Sequence, residues 1–202
     1  MSYTPYSAFV NDIAPDLPGA TVPIIQHSIR NACIVFATRT RCLHYTMPKL
    51  DAIALQQRYM LTSPNVQAEP FFARQVWFGN QQLIRKGKGE LAVLYDNWRT
   101  RAGSPLFFTQ EHDDEILIVP KPFADAPAII LIEVALKPVQ DSTHVDELIY
   151  RNNQDTIRHG TLARLYASPG KPYTNKDLAA ASLKLFNDGI AARQTSLEDA
   201  QA

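Results

Sequence analysis

Cysteine is nearly absent from this chain: Cys33 and Cys42 are the only two among 202 residues. Two thiols cannot staple a chain of this size. That excludes a disulfide framework and leaves two free, buried thiols as the expectation. Net charge is also absent, because Lys plus Arg and Asp plus Glu number 20 each. A neutral sum gives no bulk attraction to nucleic acid or to an anionic membrane, although it is compatible with a locally charged surface. No apolar run approaches the roughly 20 residues of a membrane-spanning helix. Met1 to Asp12 lacks the basic stretch and apolar core of a signal peptide. The expected protein is made in a cytosol-like compartment and has no membrane partner.

Organised chemistry is equally scarce. The five histidines, His27, His44, His112, His144 and His159, never fall three to five residues apart and have no cysteine pair beside them. The common local zinc spacings are therefore missing. His112-Asp113-Asp114-Glu115 reads as a solvated hairpin tip rather than a cation loop. Lys86-Gly87-Lys88-Gly89-Glu90 lacks the glycine and Gly-Lys-Ser/Thr frame of a phosphate loop, so it reads as a flexible basic loop. Gly103-Ser104-Pro105 is no nucleophile elbow, since no glycine follows at the second position. Phe71-Phe72 with Val76-Trp77-Phe78 reads as core more readily than as a stacking platform. Arg158, Arg164 and Lys171 read as a basic stripe or, equally, as a solvated face. No catalytic, cofactor-binding or metal-ligating residue is assigned, and no cofactor is expected.

A hydrophobic content of 46% can fill a core. Residues 1–20, rich in proline, aspartate and tyrosine, are expected as an extended arm. Thr21-Val22-Pro23 opens a helix with Ile25, Ile29, Cys33, Phe36 and Thr40 on one face. Alternation in Leu43, Tyr45 and Met47, and in Tyr59 and Leu61, predicts strands. Gly79-Asn80 predicts a tight hairpin turn. Glu90 to Trp98 predicts a short helix, Leu106–Thr109 with Ile116–Val119 a second hairpin, and Ile129 to Leu136 a buried strand. Val145 to Ala167 predicts a helix with Ile149, Thr156, Gly160, Ala163 and Ala167 on its stripe. After Pro169-Gly170-Lys171-Pro172, a capping box at Thr174 to Asp177 opens a last helix. Leu178, Ala181, Leu185, Gly189 and Ala192 follow in it at heptad-like spacing, joined by Leu183, Phe186 and Ile190 on the flank. The expected fold is α+β: a small helical bundle from residues 21–41 and 143–196, an inserted β-rich region at 42–142, and a flexible tail at 197–202.

Three segments carry a family resemblance. They are Ile157-Arg158-His159-Gly160-Thr161-Leu162-Ala163-Arg164-Leu165-Tyr166, then Pro169-Gly170-Lys171-Pro172-Tyr173-Thr174-Asn175, then Leu185-Phe186-Asn187-Asp188-Gly189-Ile190-Ala191. Together they resemble the C-terminal helical hairpin of head-to-tail adaptor (connector) proteins of tailed bacteriophages. That hairpin typically carries a Gly-x-x-Ala-Arg-Leu stretch, a Pro-Gly-Lys-Pro-Trp turn and Phe-x-x-Gly-Ile. Tyr173 stands where tryptophan is frequent. Leu17-Pro18-Gly19-Ala20, the helix through Phe36 and Arg39-Thr40-Arg41, Tyr59-Met60-Leu61 and the Trp77-to-Leu83 hairpin resemble the family's layout. The resemblance implies a structural subunit of the virion neck, not an enzyme. It implies a homo-oligomeric ring, a dodecamer, docked under the portal protein. Such a ring extends the channel for genomic DNA and presents an attachment site to tail or nozzle proteins. The resemblance makes Gly160, Arg164, Pro169, Gly170, Lys171, Pro172, Tyr173, Phe186 and Gly189 the interface or fold-defining residues.

Three other readings stand beside it. One is a tail-completion or neck protein of the same particle. Another is a small hydrolase or transferase using Ser104, His112 and Asp114. The last is a nucleic-acid binder, which would need a strongly salt-dependent affinity.

Overall fold

A computed structural model describes residues 2–199. The chain opens with strand β1 (Tyr3–Pro5), helix α1 (Ser7–Ile13) and a 3-10 turn (Ala14–Asp16). The arm expected over residues 1–20 is thus folded. Phe9, Val10 and Ile13 share a buried face, and Pro15 stops the helix after two turns. Helix α2 (Val22–Thr40) follows, with Pro23 in the first turn, where its missing N–H costs nothing. Ile25, Ile29, Cys33, Phe36 and Thr40 are all buried. Arg41 ends the helix in the left-handed region, at φ 53°.

The middle carries β2 (His44–Thr46), β3 (Leu50–Ala52), β4 (Arg58–Met60), β5 (Ala68–Phe78), β6 (Gln81–Gln82), β7 (Ile84–Arg85), α3 (Lys88–Leu94), β8 (Phe107–His112), β9 (Glu115–Val119) and β10 (Ala126–Pro138). Strand β11 (His144–Asp146), helix α4 (Glu147–Tyr166) and helix α5 (Lys176–Asp199) complete the chain. Alternation shows in β4, which buries only its central Tyr59, whereas β9, apolar from Ile116 to Val119, has both faces covered and buries all five of its residues. Gly79, at φ 61°, turns β5 into β6 with Phe78 opposite Gln81.

These elements form two compact units. One holds the chain up to Leu43, Val66–Ala68, and the chain from Lys137 on. In it β1 pairs antiparallel with β11, and α4 packs against both α2 and α5. The returning segment is tied by Gln67, whose carbonyl accepts from the Val139 amide and whose Oε1 accepts from the Thr143 amide. The other unit holds His44–Asn65 and Glu69–Leu136. Its two sheets run β2-β10-β5-β6, with β3 also on β10, and β4-β9-β8-β7. Leu91, Trp98, Leu117 and Val119 form an apolar cluster inside it.

The small helical bundle with an insertion is therefore not the architecture. The described residues form five α-helices and eleven strands in three sheets, one a half-barrel, with the helices spread along the chain. The physical reason is that the strand-rich segment buries its own apolar faces, while the N-terminal residues add a strand and a helix to their unit. The tail expected at 197–202 differs as well: α5 runs to Asp199, and residues 200–202 lie outside the described residues.

Candidate functional site: the C-terminal hairpin

The residues singled out from the sequence lie along one antiparallel pair, α4 and α5. Gly160 is buried, and a Cβ there would sit 2.7 and 2.8 Å from ring carbons of Phe186. One turn away the order reverses: a Cβ on Gly189 would sit 2.7 Å from Cγ2 of Thr156. Each helix thus supplies one glycine notch and one side chain that fills the other's notch. Real Cβ contacts do not reach such distances, so both positions require glycine for lack of room.

The connecting turn is held by its own polar groups. The Thr174 hydroxyl accepts from the Lys171 amide at 3.0 Å and donates to the Ser168 carbonyl, while the Asn175 amide donates to the Tyr166 carbonyl at 3.0 Å. Gly170 needs glycine for its φ of 70°, since nothing stands near its missing Cβ. Pro172 lies 3.4 Å from where Gly19 would carry a Cβ. Tyr173 is buried, whereas Pro169, Gly170, Lys171, Pro172 and Arg164 face solvent.

The cap differs from expectation, and the buried face of α5 is centred on the flank of the expected stripe. Asn175, not Thr174, caps α5: its Oδ1 accepts from the amides of Asp177 and Leu178, at 3.1 and 3.0 Å. Asn175→Ala is expected to cost about 1 kcal/mol, read as a lower urea midpoint with an unchanged slope. No measurable shift would remove the cap from the account. The inner face of α5 carries Ser182, Phe186 and Ile190, while Leu178 and Leu185 are 47% and 48% exposed. Both faces are apolar enough to be buried, and contact with α4 selects one. On α4, Ile149, Gly160 and Ala163 of the expected stripe are buried and Thr156 packs on Gly189, but the buried surface is broader than the stripe. Ile157, Thr161, Leu162 and Leu165 are buried and Ala167 is exposed, because this helix is covered by both α2 and α5.

Beside the notch, an open apolar groove of about 390 Å³ runs between α2, α4 and α5. Its walls include Val35, Ala163, Leu183 and Phe186, with Arg39, Arg164 and Asn187 also lining it. Val35 and Arg39 were not visible as site residues from the sequence. The only signal for them was their one-turn spacing on the flank of the α2 stripe.

Arg158 does not join a basic stripe. It pairs with Asp16 at 2.5 Å, and its Nε donates to the Asp12 carbonyl. Next to it, Nδ1 of His159 is buried without a hydrogen-bond partner among the described residues. Burial, then the Arg158 charge, lowers the pKa of His159, and Asp155 opposes them. As pH falls through about 6.5 the unfolded chain takes up this proton first. The contribution of the neutral ring is therefore present above that pH and lost below it, until the folded form protonates as well. His159→Gln is expected to shrink the difference in urea midpoint between about pH 7.5 and pH 5.5. An identical difference in both proteins would refute it.

The other sequence candidates are dispersed. Ser104 borders a cavity of about 190 Å³ with Pro105, Pro122 and Phe123 among its walls. His112 and Asp114 lie at the tip of the β8–β9 hairpin, five residues beyond the Phe107–Val119 pair at its open end. That is about 17 Å along the strands, so the three form no constellation. In the Lys86 loop, the Glu90 carboxylate accepts from the Gly87 amide and from Lys86, both at 2.8 Å. Among the described residues no group of three His, Cys, Asp or Glu could hold a metal, and no helix is long and apolar enough to cross a membrane. Cys33 and Cys42 are free and buried, and burial raises both thiol pKa values.

Compared with known proteins, the chain matches no protein-family model and no curated protein.

Proposed function

We propose that this chain is a structural adaptor of a tailed bacteriophage, forming a ring between the portal and the tail. One observation carries the reading. Three of the residues that resemble the adaptor hairpin have identities that packing or backbone conformation demands: Gly160 against Phe186, Gly189 against Thr156, and Gly170 in its left-handed turn. The dispersal of Ser104, His112 and Asp114 supports a structural part over a hydrolytic one. Ring subunits need extensive lateral surfaces, and the exposed Leu178 and Leu185 of α5 offer apolar area for one. On this reading the protein resides in the virion neck after synthesis in the host cytoplasm. Its partners are further copies of itself, the portal, tail or nozzle proteins, and the DNA passing through the channel.

The test is electron microscopy of the purified full chain mixed with purified portal rings, together with particles assembled without the chain. A coaxial ring on the portal, and DNA-filled but tailless or leaking heads in its absence, are expected. Infectious tailed virions lacking the protein would overturn the proposal. Density that touches the tail but not the portal would move the chain to a neck position further down.

A further inference from the structure

The groove between α2, α4 and α5 has features that neither the hairpin's packing nor the adaptor reading uses. Its volume of about 390 Å³ lies within the range of pockets that hold ligands, about 300–1,000 Å³. Its walls come from three helices: Val35 on α2, Ala163 on α4 with Ala167 just past its end, Leu183 and Phe186 on α5. It is an open trough rather than an enclosed cavity, because Ala167 is exposed and Leu183 is 50% exposed. An open apolar trough between helices suits a segment laid across it better than a small molecule sealed within it.

Its charge is one-sided. Arg39 and Arg164 both border the trough and both are exposed. Arg39 donates to Oδ1 of Asn187 at 2.6 Å, which holds its guanidinium against α5. Neither arginine has a carboxylate partner among the described residues. Other arginines of the same unit do: Arg158 pairs with Asp16 and Arg151 with Glu147. Two guanidiniums without a carboxylate partner among the described residues, beside an apolar floor, complement a chain that carries apolar side chains and carboxylates together.

We propose that this trough docks an acidic amphipathic segment of a partner protein. Apolar side chains one helical turn apart would lie between Leu183 and Ala163, and flanking carboxylates would meet Arg39 and Arg164. The proposal does not depend on the adaptor reading, since the trough belongs to the chain whatever particle it serves.

The test pans a displayed library of random 16-residue peptides against the full-length chain. Enriched peptides are then titrated by fluorescence anisotropy against the natural protein, Leu183→Glu and the double variant Arg39→Glu/Arg164→Glu. The expected peptides pair apolar residues at one-turn spacing with Asp or Glu. Their affinity is expected to fall about tenfold or more in each variant. The melting temperature should stay unchanged in Leu183→Glu, whose side chain faces solvent, and fall only slightly in the double variant, which loses the Arg39–Asn187 hydrogen bond. Lys-for-Glu versions of the same peptides should regain affinity for the double variant, a result that mere unfolding could not produce. Three outcomes overturn the proposal: no enrichment, enriched peptides without acidic residues, or binding indifferent to the substitutions. A concentration-dependent self-association lost in Leu183→Glu would also overturn it, by assigning the trough to a second copy. Portal binding is a separate measurement, so either idea can fail alone.

Discussion

Gly189→Val is expected to lower the melting temperature by about 5–10 °C, the equivalent of about 2–3 kcal/mol. A side chain at 189 meets Cγ2 of Thr156 at 2.7 Å and its Cβ at 3.1 Å. Threonine is branched at Cβ and restricted in χ1, so it cannot swing aside as the end of a long side chain would. The helices α4 and α5 must part instead. Removing glycine from a helix interior gains up to about 1 kcal/mol, which is too little to offset that separation. Gly189→Ala carries a smaller version of the same cost. The decisive comparison is the double variant Gly189→Ala/Thr156→Ala. If the contact is the cause, the second change recovers most of the loss made by the first. Simple additivity of the two would contradict the packing described. Gly89→Ala serves as the control, since nothing stands within 4 Å of a Cβ there.

The second large effect is expected from Phe36→Ala, a loss of about 3–5 kcal/mol. Phe36 is 0% exposed at the centre of the buried stripe of α2. Truncation removes the ring from contact and leaves a cavity that helices on either side cannot close. Domains of ordinary stability hold about 5–15 kcal/mol in total, so a large share would go with one ring. Urea unfolding followed by circular dichroism at 222 nm measures it, since the helices dominate that signal. Val22→Ala on the same helix, at a residue 50% exposed, should stay within about 0.5 kcal/mol. A loss below about 1 kcal/mol for Phe36→Ala would mean that the α2 stripe is not the core it is described to be.

The same helix shows why some elements could be read directly. In α2, the apolar spacing, the proline in the first turn and the arginine-rich end all agree, so local signals suffice. The β5–β6 hairpin was legible for a similar reason, because Gly79 supplies the positive φ that a two-residue turn needs. Helix α1 was not legible. Seven residues with three buried apolar side chains give too little period to detect, and so short a helix is stable only when packed on a partner. On α5 the buried face is centred on the expected flank, with Phe186 and Ile190, while Gly189 of the expected stripe still meets Thr156. Leu178 and Leu185 form as good an apolar stripe as Phe186 and Ile190, and local pattern cannot rank them.

The candidate site divides in the same way. Gly160, Gly189 and the Pro169–Tyr173 turn stand out in the sequence because glycines and prolines at such positions announce a constraint. Val35 and Arg39 do not, because their part in the trough exists only once α2 lies beside α4 and α5.

By itself, the sequence determined the scarcity of thiols, the neutral charge, the buried stripe of α2 and the glycine- and proline-marked hairpin. Each of these is a property of composition or of residues within a turn or two of one another. Tertiary structure alone decided that the strand-rich segment builds its own core, that α5 turns Phe186 inward, and that Ser104 lies far from His112. It also decided that two arginines with no acidic partner among the described residues border an apolar trough. Those outcomes rest on which surfaces meet across long stretches of chain, where several burials of similar free energy compete and only the assembled whole selects among them.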